Sequence, residues 1–377
     1  TSSRCIANNH WTLDLRKKYQ NIKFNESTQE VHVEAGTRMV DLLSELSKFG
    51  RVFPTGLSGE TGMGYILTGG ISPISRSKGL AIDQIKRIKG IWGNGDNFDL
   101  KKPNSFSSLE DQIKWKGLLG AGHFLSIITS VTLKTYKEKF LYIAQGFITP
   151  DQLAELILEA EKWPNSASFN WIWGDQIKAY IVIEIESHKS NKSDEELIKR
   201  LSFANQLKTS TVHGLKEIPP FSLPIKEENK YERIHSEVIG LLSNKWKNEC
   251  KRTIKSIENL MKERPHKNCY IASQQLGGVI SHEKENKSSF IHRKATWKPW
   301  INGAWPAGNI KTRDESLKWV EKVWQSLELV CSGVHLAQMH SHLPWHTKEI
   351  KSAFQDWLPE LKNLKTKYDP QGLLPPL

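Results

Sequence analysis

The chain has 377 residues, of which 38% are hydrophobic and 25% charged, and its net charge is +12 at pH 7. This composition excludes a disordered protein, and because the length exceeds what one hydrophobic core usually serves, we expect two domains. A positive net charge is compatible with binding to nucleic acid. Here the lysines are spread along the chain among glutamates, which favours a solvated lysine-rich surface and no nucleic-acid partner.

Strand and helix patterns follow each other through the first 137 residues. The segment EVHVEAG, residues 30–36, alternates valine with polar residues and predicts a strand. A helix capped by Thr37 and closed by Gly50 should follow. Its apolar residues recur at helical spacing: Met39, Leu42, Leu43, Leu46 and Phe49. We then expect a hairpin around GNGD, residues 93–96, and a β-branched strand within residues 123–136.

The next part of the chain predicts a helix and a pair of strands. The segment TPDQLAELILEAEKW, residues 149–163, begins with a capping box formed by Thr149 and Gln152. Proline at the first helical position also favours a helix that begins there. FNWIWG, residues 169–174, and AYIVIEIES, residues 179–187, are apolar and β-branched, and they predict neighbouring strands.

Three further predicted elements follow the helix and strand pair of residues 149–187. Residues 231–263 show a long amphipathic helical pattern, and CYIASQQLGG, residues 269–278, predicts a strand. The segment at residues 312–330 predicts a helix with its own capping box, Thr312 with Glu315. Strands and helices in this order predict an antiparallel sheet covered by helices, which is an α+β arrangement.

The cysteines indicate neither a disulfide framework nor a metal site. The four cysteines are Cys5, Cys250, Cys269 and Cys331. Their spacing contains neither a CxxC motif nor a Cys/His pattern of metal ligands. Sparse cysteine fits a reducing compartment, so we expect a cytoplasmic protein. The longest uncharged run, residues 117–133, is shorter than a spanning helix of roughly 20 apolar residues, so we expect no membrane span. The first residues lack the apolar core of a signal peptide, and because residue 1 is threonine we expect that an upstream segment is absent.

Glycines concentrate in FPTGLSGETGMGYILTGG, residues 53–70. Six of the 25 glycines lie there: Gly56, Gly59, Gly62, Gly64, Gly69 and Gly70. Glycine is best explained where the backbone needs positive φ or approaches another group closely. The phosphate-binding P-loop ending GK[ST] is absent, and GMGYIL has Leu67 where the dinucleotide fingerprint needs a third glycine. The HRD and DFG partners of a kinase glycine loop are also absent.

Four segments together resemble one protein family. Residues 53–85, FPTGLSGETGMGYILTGGISPISRSKGLAIDQI, are similar to the flavin-binding loops of the berberine-bridge-enzyme-like branch of the vanillyl-alcohol-oxidase superfamily, whose FAD-binding domain is of the PCMH type. Residues 118–134, 275–297 and 361–377 resemble further segments of that family. The four matches occur in the family's order and span nearly the whole chain.

The resemblance implies a fold, a cofactor and a set of binding residues. It implies an α+β protein with a PCMH-type FAD-binding domain at residues 1–137, whose N-terminal subdomain has no counterpart here. A substrate domain at residues 138–335 and a C-terminal segment at residues 336–377 that returns to the FAD domain would follow. FAD would be bound mainly by backbone amides. The residues implied in binding are Pro54, Thr55, Gly56, Leu57, Ser58, Gly62, Met63, Gly64, Tyr65, Thr68, Gly69, Gly70, Leu80 and Ile127.

The chain differs from the family at the positions that tether the flavin and at the family's catalytic motif. The histidine that can tether the flavin has no counterpart, and Ser58 aligns with the cysteine of a second tether, so that bond cannot form. The family's YxN motif is replaced by His335, Leu336 and Ala337. We expect His335 to act as the base that takes a hydroxyl proton, because an unshifted histidine titrates near neutral pH. A structural role for His335 is the alternative.

Other polar residues have two interpretations each. Gln274 is a second catalytic candidate if the register of its strand turns it toward the flavin. His292 and Arg293 match the family's HR pair, for which hydrogen bonds that hold a strand end are favoured over catalysis. Three histidines lie close together downstream: His340, His342 and His346. No nearby carboxylate or cysteine in the sequence completes a ligand set, so we expect surface or packing roles and no metal.

The leading hypothesis is an FAD-dependent oxidoreductase that oxidises an alcohol or carbohydrate-like hydroxyl by hydride transfer to the flavin. Its partner would be a small-molecule substrate, with oxygen or another acceptor taking the electrons. A second hypothesis is a catalytically inactive flavin-binding or scaffold protein that keeps the fold. A basic nucleic-acid-binding protein ranks last, since the sequence has neither a charge cluster nor a motif for that role.

Overall fold

The computed structural model describes residues 12–56, 61–185, 192–201, 207–218, 233–283, 287–336 and 340–377. Within residues 22–134 it contains a five-stranded antiparallel sheet. The strands are β1 (Ile22–Asn25), β2 (Glu30–Glu34), β4 (Ile85–Trp92), β5 (Asn97–Lys101) and β6 (Ser126–Lys134). They lie in the order β1, β2, β6, β4, β5. A separate pair joins β3 (Arg51–Val52) to β7 (Tyr136–Lys137).

The described residues of this part contain the α-helices α1 (Met39–Ser47), α2 (Met63–Leu67), α3 (Ser75–Lys78) and α4 (Leu109–Ala121). The predicted cap at Thr37 is wrong, because α1 takes Arg38 as its N-cap and makes no side-chain cap bond. Arg38 instead donates to Asp41 in the first turn. The apolar face of α1 is buried as predicted, except that Phe49 lies beyond the helix and is 42% exposed.

An eight-stranded antiparallel sheet follows. Its strands are β8 (Phe140–Ile148), β9 (Ala167–Trp173), β10 (Ile177–Ile185), β11 (Lys208–His213), β12 (Ile234–Ser243), β13 (Tyr270–Gln275), β14 (Trp297–Pro306) and β15 (Cys331–His335). They lie in the order β11, β8, β10, β9, β13, β14, β12, β15. The predicted hairpin of β9 and β10 and the strand β13 are therefore present.

The predicted helix over residues 231–263 is wrong in its first half. That half is β12, which pairs with β14 on one side and with β15 on the other. In the described part of this range, a 3-10 turn at Lys247–Glu249 leads into the α-helix α7 (Cys250–Lys262). A run of apolar residues such as VIGLL fits either period, and here pairing with two neighbouring strands decides in favour of the strand.

Helices cover one face of the large sheet. They are α5 (Pro150–Ala160), α7 and α8 (Ile310–Leu327), and α6 (Lys192–Leu201) lies between β10 and β11 in the chain. The capping box of Thr149 and Gln152 at α5 is present. The one predicted for α8 is not, because that helix begins earlier and its Thr312 amide donates to the Asn309 side chain. Gln275 on β13 donates from Nε2 to the Ala160 carbonyl, so that residue faces α5.

The C-terminal helices α9 (His346–Phe354) and α10 (Leu358–Tyr368) lead back to the first sheet. Tyr368 stacks on Trp92 with ring centroids 4.1 Å apart, and Lys365 donates from Nζ to the Phe124 carbonyl at 2.9 Å. The predicted domain boundaries stay a prediction. Within the described ranges no helix is long and apolar enough to cross a membrane.

Candidate active site

The glycine-rich loop leads from β3 into the short helix α2. Thr55 in this loop is fully buried, and its Oγ1 has no hydrogen-bond partner among the described residues. The same holds for Oγ1 of Thr37, whose carbonyl lies beside Gly62. Residues 57–60, which include the predicted Leu57 and Ser58, lie outside the described part. Buried hydroxyls without a partner are rare, and they point to a ligand at this loop.

The glycines of the loop have two different explanations. Gly70 has φ +67°, and a Cβ there would lie 2.3 Å from the Ala81 Cβ, so packing within the protein requires it. Gly69 has φ +144° and would place a Cβ 3.0 Å from His335 Nε2. At Gly64, however, a Cβ would meet nothing within 4 Å, and at Gly62 only a carbonyl oxygen at 3.9 Å. Among the described residues no protein contact explains these two glycines, which leave the backbone open to a ligand.

Several other predicted binding residues have contacts within the protein. The Tyr65 hydroxyl donates to the Ile71 carbonyl at 2.6 Å and accepts from the Ile71 amide at 3.1 Å, which ties the loop to itself. Met63 and Leu80 are core residues with exposed fractions of 2% and 0%. Pro54 and Gly56 lie in the buried approach to the loop and Ile127 lies on β6. Their roles in FAD binding stay predictions.

The loop fits the polar part of FAD. Two unpartnered hydroxyls, on Thr37 and Thr55, can bond to phosphate or ribose oxygens. The bare backbone at Gly62 and Gly64 suits a close approach by an anion, because backbone amides in a glycine-rich turn form anion-binding concavities.

His335 ends β15 with its ring against the same loop. Its Nε2 lies 2.9 Å from the Thr68 carbonyl, an oxygen that only accepts, so Nε2 carries the proton. The other ring nitrogen, Nδ1, is buried and has no hydrogen-bond partner among the described residues. Burial first, and the charge of Lys298 second, lower the pKa of His335 to about 3. The lowered pKa contradicts the expectation that this histidine is unshifted, and the catalytic role of His335 stays a prediction.

The space beside His335 is small. A cavity of about 10 Å³ lies between the ring and a wall that includes Thr68, Gly120, Phe290 and His292. It holds about one water molecule. The Phe290 ring meets the His335 ring edge-on, with centroids 5.6 Å apart. A substrate atom therefore reaches Nδ1 only after a neighbouring side chain moves.

A row of buried polar side chains crosses the large sheet. Asn170 on β9 lies opposite Gln274 on β13, which lies opposite Lys298 on β14. Because side chains alternate along a strand, and Gln275 faces α5, Gln274 faces away from the helices. All three are buried, with exposed fractions of 1%, 5% and 7%. The register thus places the predicted Gln274 on the sheet face opposite α5.

Lys298 is a residue that the sequence analysis missed. Burial alone lowers its pKa to about 8, and it makes no ion pair within the described residues. Its Nζ lies 5.0 Å from the Trp300 ring centroid. A Cβ at Gly240 would lie 3.5 Å from Lys298 Cε and 3.6 Å from His335 Cβ, so both side chains flank this glycine. The signal in the sequence was a lysine within the apolar strand segment WKPWI.

The other predicted histidines belong to a separate cluster. His340 Nδ1 donates to Glu349 at 2.8 Å, and its Nε2 lies 3.3 Å from Glu237, which also accepts from His342 at 3.0 Å. The expectation that no carboxylate lies near these histidines is wrong, because Glu237 comes from β12, about a hundred residues earlier. Within the described ranges, no group of three such side chains is arranged to hold a metal ion.

Arg293 and His292 make structural contacts. Arg293 is 1% exposed and pairs with Asp83 at 2.8 Å, which fastens its loop to the first part of the chain. His292 Nε2 lies 2.9 Å from the Ser352 carbonyl and donates to it. These contacts favour the interpretation that the HR pair holds the strand end.

Comparison with known proteins finds similarity to FAD-binding proteins. The model of the FAD binding domain family matches residues 1–101. An FAD-linked oxidoreductase of Dictyostelium discoideum is 27% identical over 375 residues, which cover 93% of this chain and 75% of that protein. The FAD-linked oxidoreductase nodO of Hypoxylon pulicicidum is 32% identical over 124 residues, which cover 33% of this chain and 26% of that protein.

Solved structures share the fold. A chitooligosaccharide oxidase has a TM-score of 0.80 at 16% identity, over 97% of this chain and 80% of its own. A xylooligosaccharide oxidase of Myceliophthora thermophila, solved with xylobiose, has a TM-score of 0.75 at 18% identity, over 96% and 80%. A variant of berberine bridge enzyme has a TM-score of 0.74 at 17% identity, over 95% and 78%. The predicted fold class is confirmed.

Proposed function

From the premise that the chain belongs to the FAD-linked oxidoreductases with a PCMH-type FAD-binding domain and uses FAD, as predicted, we propose that it oxidises a hydroxyl group of an alcohol or carbohydrate. The observation that carries this proposal is the buried polar row of Asn170, Gln274 and Lys298, which lies on the sheet face opposite α5, near His335. Hydroxyl-rich substrates need such donors and acceptors. Two proteins of the same fold are named as oligosaccharide oxidases.

Bound FAD supplies the acceptor for the hydride that leaves the substrate carbon. Among the groups that would hold it, the hydroxyls of Thr37 and Thr55 have no hydrogen-bond partner in the described residues, and at Gly62 and Gly64 no described protein atom crowds the position of a Cβ. The other residues named by resemblance shape the loop.

Lys298 is the proposed proton acceptor. Oxidation of a hydroxyl removes a hydride from carbon with both electrons and a proton from oxygen, and leaves a carbonyl. With its pKa lowered to about 8, Lys298 is neutral in an appreciable fraction of molecules near neutral pH and can take that proton. His335, whose buried Nδ1 has no hydrogen-bond partner among the described residues, would orient the hydroxyl by accepting a hydrogen bond once a neighbouring side chain has moved. Gln274 would position a second hydroxyl, since its amide both donates and accepts.

A substrate screen tests the proposal. Purified protein is loaded with FAD, freed of oxygen and mixed with alcohols and sugars while the visible flavin absorption is followed. We expect a sugar or alcohol to bleach it, and the Lys298→Met variant to bleach at least tenfold more slowly. Firm FAD binding with no bleaching by any compound of the screen would refute the proposal and favour the inactive-scaffold alternative.

The cytoplasmic location stays a prediction.

A further inference from the structure

A larger cavity lies beside the small space at His335. Its volume is about 440 Å³, within the range of roughly 300–1,000 Å³ usual for small-molecule sites. His292 lines both spaces. The lining residues are Lys116, Asn244, Ile291, His292, Lys294, Ala295, Ser332, Gln355, Asp356 and Trp357. The cavity is therefore a separate site that adjoins the active site proposed above.

The lining mixes polar and apolar groups and carries more positive than negative charge. Two lysines, Lys116 and Lys294, face a single carboxylate, that of Asp356. The Lys116 ammonium is held in place, because its Nζ lies 3.8 Å from the Trp357 ring centroid. The Trp357 ring is itself fixed, since its Nε1 donates to Ser289 Oγ at 2.8 Å. A positioned cation of this kind suits a carboxylate or another anion.

Uncharged hydrogen-bonding groups complete the lining. Asn244, Ser332 and Gln355 provide amide and hydroxyl groups, and Gln355 Nε2 donates to the Ser332 carbonyl at 3.1 Å across the rim. Groups that both donate and accept match a ligand rich in hydroxyls. The combination of cations with such groups indicates an anionic polyol rather than a bare anion.

One side chain forms a shared wall of the cavity and the active site. A Cβ at Gly333 would lie 2.2–2.4 Å from atoms of the His292 ring, so the ring occupies the space that this glycine leaves free. Two residues further along β15 is His335. The imidazole of His292 therefore adjoins both spaces, and a molecule in the cavity lies next to the site of hydroxyl oxidation.

We propose that this cavity binds the charged end of the substrate, and that the substrate is a carbohydrate that carries a carboxylate, such as a uronate. This inference rests on the proposed function, which it narrows to acidic sugars. Lys116 is a specificity residue for the carboxylate, and Asn244, Ser332 and Gln355 bind hydroxyls of the same sugar.

Binding tests the inference without turnover. The affinities of D-glucuronate, D-glucose and inorganic phosphate are measured by calorimetry on the FAD-loaded protein. We expect glucuronate to bind at least tenfold more tightly than glucose or phosphate. The Lys116→Met and Lys294→Met variants should each weaken glucuronate binding about tenfold, as expected for a lost charge-assisted hydrogen bond. Lys101→Met, which removes an exposed lysine on β5, is the matched control and should leave it unchanged.

The outcomes separate this inference from the proposed function. Equal binding of glucose, tighter binding of phosphate, or no effect of both lysine variants would overturn the inference. Bleaching of the flavin by a neutral sugar without glucuronate binding would overturn it and leave hydroxyl oxidation standing. Glucuronate binding that depends on Lys116, with no sugar able to bleach the flavin, would refute hydroxyl oxidation while supporting the ligand class of the cavity.

Discussion

Replacement of Lys298 by methionine should stabilise the protein at neutral pH while it removes activity. Burial lowers the lysine pKa from 10.5 to about 8. At about 1.4 kcal/mol per pKa unit, holding the charged form in the folded protein costs about 3 kcal/mol at pH 7. Methionine keeps the apolar stem and carries no charge. It gives up only the contact with Trp300, which contributes about 1 kcal/mol.

The sign of the pH dependence follows from proton binding. Between pH 8 and 10.5 the unfolded lysine binds a proton that the folded one has lost, so the stability of the natural chain rises with pH through this window. The advantage of Lys298→Met should therefore be about 2–3 kcal/mol at pH 7 and below about 1 kcal/mol at pH 10. Urea unfolding of both proteins at these two pH values measures it. Lys101→Met is the control, and its stability should follow that of the natural chain.

Two results would refute this reasoning. A Lys298→Met variant that is less stable than the natural chain at pH 7 would mean that the charged lysine has a stabilising partner. An advantage of equal size at pH 7 and pH 10 would mean that the change acts through packing and not through a displaced pKa. A residue that lowers the free energy of unfolding of the protein is retained because function needs it. We interpret Lys298 in this way.

Three further predictions concern the loop and His335. Gly70→Ala should destabilise the protein by at least about 2 kcal/mol in urea unfolding, because the φ of Gly70 is +67° and a Cβ there would overlap Ala81. Gly308 also has positive φ but lies in open space, so the control variant Gly308→Ala should cost only about 1 kcal/mol. Gly64→Ala should leave stability nearly unchanged and weaken FAD binding at least tenfold by fluorescence titration; unchanged affinity would show that this backbone does not approach FAD. His335→Asn should lower the turnover rate without shifting its pH profile, since a pKa of about 3 keeps the ring neutral above pH 5, and a shifted midpoint would contradict that protonation state.

Local patterns predicted the parts of the fold that depend on local contacts. The alternation in β9 and β10 and the capping box of Thr149 and Gln152 gave the right elements, because each is set by neighbours in the sequence. The strand β12 was read as a helix, since only its two partner strands decide its conformation. The glycine-rich loop and the candidate His335 came from resemblance to a family, and the structure brings both together.

The electrostatics of the site could not be read from the sequence. The low pKa of His335 depends on burial by several elements and on Lys298 of a different strand. The carboxylates that bind His340 come from β12 and α9, and sequence distance hid the first of them. Residue type suggested where chemistry occurs, but burial and register determined which group can take a proton.

The most direct test of the account is the pH dependence of flavin reduction by a substrate from the screen, measured in the absence of oxygen for the natural chain and for Lys298→Met. The account predicts that the rate for the natural chain rises about tenfold per pH unit below pH 8 and levels off above it, and that the variant is slow with no midpoint near pH 8. A variant that reduces its flavin as fast as the natural chain, with the same midpoint, would contradict the assignment of Lys298 as the proton acceptor.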